Sequence, residues 1–175
     1  MDWYETVFEL IDMRSFSNLW FWIALAAVWS QASHRVIGVP FDMVGRAARL
    51  GGRAERDLET IVAIHVTRLL YIVHVSGLWL VAIGSMALTG LGLLAFVYGI
   101  ESAQAVFLIA FPLTLVALLG LRTARRISSE EPSGDELRRR LSRHRQTVQG
   151  IGIVSIFVTA MWGMYRNLDV GPLGG

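Results

Sequence analysis

The side chains that could do chemistry at membrane depth are few, and three of them lie in one apolar run at residues 61–100. His65, Arg68 and His74 are the only strongly polar members of that run. Histidine exchanges a proton near neutral pH, and an ionisable group within a membrane is costly enough to mark a candidate functional site. His65 and Arg68 lie three residues apart, on one face of a helix. With His34 of the first apolar segment they form a candidate cluster that would admit protons or anions.

A structural role is the alternative for each of these residues. Arg68 would extend to the lipid headgroups, and His65 would lie at the interface. His74 follows His65 on the opposite face of the helix, so the two histidines cannot share a metal ion. A haem would need His74 to pair with His34, and otherwise His74 would bond a hydroxyl such as that of Ser155. We expect no metal and no cofactor, with haem or quinone binding through His74 as a weaker alternative.

Motifs of enzymes are absent from the sequence. It contains no paired acidic motif within an apolar segment, no HExxH, no nucleophile elbow and no phosphate-binding loop. It also has no cysteine, which excludes disulfides and thiolate ligands. We therefore expect a non-enzymatic protein with no catalytic residues.

The composition is that of a membrane protein. Apolar residues make up 54% of the chain and charged residues only 17%, and the mean hydropathy is +0.50. So few charged side chains cannot cover a soluble globule of 175 residues. We expect one all-α membrane domain that covers residues 1–175.

The distribution of arginine decides how the run at residues 61–100 is folded. Most arginines lie at residues 35–56 and 122–145, so both segments should be cytoplasmic. Two spans within the run would put these segments on opposite sides of the membrane. One helix is therefore predicted, and it should continue from the charged segment that Gly51 and Gly52 interrupt.

Three further spans complete a predicted four-helix bundle, in which Ser17 caps the first helix and Pro112 kinks the third. An acidic amphipathic helix at residues 3–14 would lie at the interface and dock on the bundle. Short cytoplasmic helices include one at residues 137–146. The predicted spans lie at about residues 18–39, 68–98, 103–121 and 147–165, and the cytoplasmic segments lie at residues 40–67 and 122–146.

Charged and aromatic residues agree on the orientation of this bundle. The segments assigned to the outside hold six acidic residues against two arginines, and they also collect aromatic residues such as Trp3, Trp162 and Tyr165. Both termini should then be periplasmic, in the inner membrane of a bacterium.

Small residues recur at helical spacing, and they predict close packing between helices. Assembly is therefore the expected function, as a homo-oligomer or as an accessory subunit of a larger membrane complex. A small channel or transporter subunit, with His34, His65 and Arg68 as an inner gate, is the alternative. The predicted packing residues are Ala26 and Ser30 in the first span and Gly77, Gly84, Ser85 and Thr89 in the long run.

A cluster of arginines lies directly before the fourth span. In that position they favour anionic lipid headgroups, at about 1 kcal/mol per arginine near the surface, or they fix the topology alone. We expect lipid and membrane-protein partners and no nucleic acid. The clustered arginines are Arg138, Arg139, Arg140, Arg143 and Arg145.

The sequence has two resemblances to known membrane proteins. Gly-Leu-Gly-Leu-Leu-Ala-Phe-Val-Tyr-Gly-Ile at residues 90–100 resembles the glycine-rich second helix of proton-driven motor scaffolds of the ExbB, TolQ and MotA type, which implies an oligomeric channel. Over most of its length, including the first ten residues and Gly-Val-Pro-Phe-Asp-Met at residues 38–43, the chain resembles a group of small four-span alphaproteobacterial membrane proteins. Some of these are labelled as a component of the SufBCD iron–sulfur assembly complex, but a cysteine-free chain offers no thiolate for such a cluster.

Overall fold

The computed structural model describes residue 16 and residues 18–169. The predicted interfacial helix at residues 3–14 and the predicted cap Ser17 lie outside the described residues. Five helices and a two-stranded hairpin make up the described part of the chain. They are α1 (Leu19–His34), β1 (Arg35–Val36), β2 (Val39–Pro40), α2 (Phe41–Leu50), α3 (Gly52–Gly92), α4 (Glu101–Glu130) and α5 (Gly134–Asp169).

The long apolar run is one continuous helix, as the sequence predicts. Helix α3 extends from the charged segment through the apolar run to Gly92, and a short π-helical segment, Leu93–Val97, follows it. Helix α2 ends where Gly51 takes a φ of 57°, a conformation that favours glycine. The Gly51 N–H donates to the carbonyl of Ala47 over 3.0 Å. The two glycines therefore separate α2 from α3, and the second half continues directly into the run.

The first apolar segment is shorter than predicted. Helix α1 ends at His34, and the strands that follow pair antiparallel, with Val36 opposite Val39. Both valines are buried, and burying them turns the chain back toward the helices instead of extending α1 to residue 39. At the other end, the side chain of Asn18 accepts the N–H of Trp20 over 2.9 Å and caps the helix.

The helix predicted at residues 137–146 is not a separate element. It is the first part of α5, which runs on without a break through the apolar segment. Helix α4 likewise continues past residue 121 to Glu130. No glycine or proline lies between residues 137 and 149 to end the helix. Within the segments predicted to be cytoplasmic, α2 is therefore the only separate short helix among the described residues.

The helices form a row in the order α1, α5, α4 and α3, each packed mainly against the next. Helix α2 packs on the first part of α3. Three helices are long and apolar enough to cross a membrane: α3 with its π-helical segment, α4 and α5. These findings confirm a helical, membrane-type chain.

A hydrophobic core lies where the helices carry most of the arginines, at one end of the bundle along the helix axes. We call this region the charged end and its buried cluster the head core. Its members come from the hairpin and from α2, α3, α4 and α5, so the core ties these elements together. They are Val36, Val39, Val44, Ala47, Leu58, Val62, Val66, Ala124, Ile127, Leu137 and Leu141.

Candidate functional site

A cavity of about 490 Å³ lies where the hairpin meets the helices, and we call it the hairpin cavity. It brings together His65 and Arg68 of α3, which the sequence places on one helix face. His144 of α5 and Arg35 of the hairpin also line it. Its full lining is Gln31, Ala32, Arg35, Ile37, Gly38, His65, Arg68, Leu69, Ile72, Val116, Ala117, Gly120, His144 and Val148.

The hairpin holds the His65 ring in place. Gly38 has a φ of 84°, and a Cβ atom at this position would lie 2.8 Å from His65 Nδ1. Both the positive φ and the close approach require glycine here. The backbone of the turn therefore lies directly on the imidazole, and His65 is half-buried beneath it.

His144 is the most deeply buried of the basic side chains in the cavity. Its Nδ1 lies 3.1 Å from Thr123 Oγ1, and that hydroxyl donates to the carbonyl of Leu119 over 2.9 Å. Because the hydroxyl proton is directed to Leu119, the imidazole donates from Nδ1 to Thr123 Oγ1. The Nε2 atom of a neutral His144 is then an acceptor.

The sequence analysis predicted a short helix at residues 137–146 and did not single out His144 as a site residue. The signal that could have found it is a spacing of four, three and four residues along one face of α5. Leu137, Leu141, His144 and Val148 follow this spacing, and all four are buried. A histidine within such a stripe points into the protein.

The structure places His34 outside the hairpin cavity. His34 is exposed, as are Ala26 and Ser30 of the predicted small-residue stripe. Helix α1 instead packs through Leu25 and Trp29. The stripe therefore faces away from the other helices of this chain.

His74 also points outward from the row of helices. Its side chain is exposed, and no hydrogen bond to it is formed within the described part of the chain. Ser155, the predicted hydroxyl partner, donates to the carbonyl of Leu108 over 3.4 Å instead. Among residues 18–168, no three acidic or histidine side chains come together as metal ligands.

The predicted packing residues of α3 make few contacts with the other described elements of the chain. Ser85 and Thr89 are exposed, and the Ser85 hydroxyl donates only to the carbonyl of Ala82 in its own helix, over 3.1 Å. Apart from its chain neighbours and the backbone of its own helix, no atom lies within 4 Å of a Cβ built at Gly84, and at Gly77 only the side chain of Val73 in the same helix does. Only 6% of the most apolar stretch of α3 is buried, against 28% in α5.

The arginine cluster of α5 is partly used inside the protein. Arg138 pairs with Glu55 and Asp135, which links α5 to α3. Arg140 pairs with Glu130 and with Glu136, the latter at 2.8 Å.

The other three arginines of the cluster differ in whether they contact the rest of the protein. Arg145 donates from Nε to the carbonyl of Ser33 over 3.2 Å and lies 4.1 Å above the ring of Phe41. Arg139 and Arg143 are exposed, and neither forms an ion pair with a described residue. These two are the members of the cluster that remain free to meet lipid headgroups.

A buried glutamine joins three helices at the end of the bundle opposite the charged end. The sequence analysis did not single out this residue. Gln104 donates from Nε2 to the carbonyl of Ala95 over 2.8 Å. Its Oε1 accepts the indole N–H of Trp162 over 3.0 Å. The π-helical segment, α4 and α5 are thereby linked through one side chain, whose signal in the sequence is a lone amide between Ala103 and Ala105.

Comparison with known proteins adds no assignment, because no protein-family model, no curated protein and no solved structure matches this chain. The resemblances noted in the sequence stay predictions.

Proposed function

We propose that this protein is a non-enzymatic subunit of a membrane assembly, and that helix α3 packs against a second polypeptide within the bilayer. The observation that carries the proposal is the outward face of α3 around His74. This face combines an unpartnered imidazole with the small residues Ser85 and Thr89.

The composition of this face suits contact with protein better than contact with lipid. Hydrocarbon offers no partner to an imidazole, so an exposed His74 is costly unless another chain bonds it. Small residues allow helices to approach closely, and that packing replaces the hydrophobic force that lipid removes. Leu78, which is 83% exposed, lies on the same face and would pack at the centre of the contact.

Four spans with both termini outside remain the topology that we propose. Helix α1 has 16 residues and covers about 24 Å, which is shorter than a typical hydrocarbon core of about 30 Å. Its contacts support a span nonetheless, because it runs antiparallel along the apolar part of α5.

Contacts at three depths between α5 and the segment that contains α1 support this fourth span. A Cβ at Gly163 would lie 3.3 Å from the side chain of Phe16, and one at Gly152 would lie 2.8 Å from Trp29. Near the charged end, Ser33 accepts from Arg145. The segment that begins at Phe16 therefore extends over the same depth as the apolar part of α5. Arginine at the charged end favours a cytoplasmic location for that end, in a bacterial inner membrane.

Site-specific crosslinking in native membranes tests the assembly. A photoreactive benzoylphenylalanine replaces Leu78 on the outward face of α3. The matched control replaces Ile153, which is 70% exposed but lies on α5 and not on the outward face of α3. We expect an ultraviolet-dependent adduct of defined mass from position 78 and none from position 153.

The mass of the adduct identifies the second polypeptide. Twice the mass of the chain indicates a homo-oligomer, and any other defined mass indicates a different subunit. Crosslinks to lipid alone from position 78, or equal protein adducts from both positions, would refute assembly through α3.

A further inference from the structure

The ionisable side chains that line the hairpin cavity are all basic. Four basic side chains line it, and its lining contains no acidic residue. Arg35 and Arg68 form no ion pair within the described part of the chain. The carboxylates Glu55, Glu130 and Glu136 form ion pairs with arginines of α5 instead. Positive charge in this cavity is therefore left uncompensated by the protein.

The cavity is also divided between polar and apolar walls. On α3, Ile72 lies one turn from Arg68 toward the apolar part of the helix, and on α5 Val148 lies one turn beyond His144. On α4, Val116 lies one turn from Gly120 in the same direction. All three helices thus present apolar walls on the membrane side, and α3 and α5 also present basic groups toward the charged end.

We propose that the hairpin cavity binds the phosphate group of an anionic membrane lipid. Arg35 and Arg68 supply charged donors to the phosphate oxygens, which is the pairing that guanidinium groups favour. The first part of an acyl chain lies along Ile72, Val116 and Val148. A volume of about 490 Å³ is in the range of small-ligand sites, roughly 300–1,000 Å³.

The fixed histidines give the site its shape. Gly38 lies directly against the His65 ring, and Thr123 fixes His144 at Nδ1. Two side chains that bound the cavity are therefore held before any ligand binds, and this reduces the entropy lost on binding. The proposal does not depend on assembly through α3, because the cavity residue His65 lies on the face of α3 opposite His74.

Lipid binding to the detergent-purified full chain tests the proposal by native mass spectrometry. The probes are phosphatidylglycerol, zwitterionic phosphatidylcholine and inorganic phosphate, each at matched concentrations. The double variant Arg35→Gln with Arg68→Gln removes both charged donors. The control, Arg46→Gln with Arg53→Gln, removes the same net charge from exposed arginines that do not line the cavity.

We expect the native chain and the control to bind phosphatidylglycerol more tightly than phosphatidylcholine. The cavity variant should bind phosphatidylglycerol at least ~10-fold more weakly, with an unchanged melting temperature. If inorganic phosphate displaces the lipid, the same site accepts free phosphate; if it does not, the site requires the lipid. Equal loss in both double variants, or no preference between the two lipids, would overturn the proposal.

Discussion

The charged end and the apolar part of this protein are built in different ways. At the charged end, large apolar side chains such as Leu58 and Leu141 are fully buried, and ion pairs such as Arg138 with Glu55 join the helices. In the apolar part, the most apolar stretches of α3, α4 and α5 are buried to only 6%, 17% and 28%. The charged end thus has a core of its own, whereas the apolar helices present most of their surface to their surroundings.

The difference shows which forces act in each region. Water drives the burial of apolar side chains at the charged end, but lipid exerts no such force between apolar helices. Contacts in the apolar part therefore rely on close packing and on hydrogen bonds between polar groups. Pro112 has no N–H for the carbonyl of Leu108, and the Ser155 hydroxyl donates to that carbonyl over 3.4 Å.

The largest expected effect comes from the head core. Leu141→Ala removes a side chain with 0% exposure, and we expect a loss of about 2–5 kcal/mol in the free energy of unfolding because a cavity remains. Leu168→Ala, at a position that is 75% exposed on the same helix, should change stability by less than about 0.5 kcal/mol. Denaturant unfolding in mild detergent measures both. Equal effects would show that the charged end has no core of its own.

The hairpin should be the next most sensitive region. Gly38→Ala places a Cβ at a φ of 84° and 2.8 Å from His65 Nδ1, so we expect a loss of about 1–3 kcal/mol. Gly45→Ala is the matched control, because the added Cβ would have no atom within 4 Å apart from its chain neighbours and the backbone of its own helix. In the interior of α2 it should gain up to about 1 kcal/mol. A neutral Gly38→Ala would mean that the turn does not hold the His65 ring.

The smallest expected effect lies in the apolar part. Gln104→Leu leaves the carbonyl of Ala95 and the indole N–H of Trp162 without their partner. We expect a loss of about 1 kcal/mol in the free energy of unfolding. Gln146→Leu, at an exposed position of α5, serves as the control and should change stability little. If the two variants behave alike, polar contacts do not hold the apolar helices together.

Local patterns predicted a large part of the fold and a smaller part of the candidate site. The break at Gly51 and Gly52 and the continuous helix that follows depend on residues close in sequence, and both were predicted. His65 and Arg68 were placed together for the same reason, since three residues on a helix share a face. The cavity contains His144, which was not predicted, and does not contain His34, which was, because both positions depend on contacts between distant segments.

The sequence by itself determined that the chain is helical and of membrane type, and that its arginines gather at one end, since composition and helical periodicity are local properties. Only the tertiary structure decided which basic residues meet. Burial of Val36 and Val39 ends α1 at His34 and brings Arg35 to the cavity. The uninterrupted α5 carries His144 to the same cavity beside His65. Such meetings depend on how distant segments pack, and helix periodicity indicates which face of a helix is buried but not which segment that face meets.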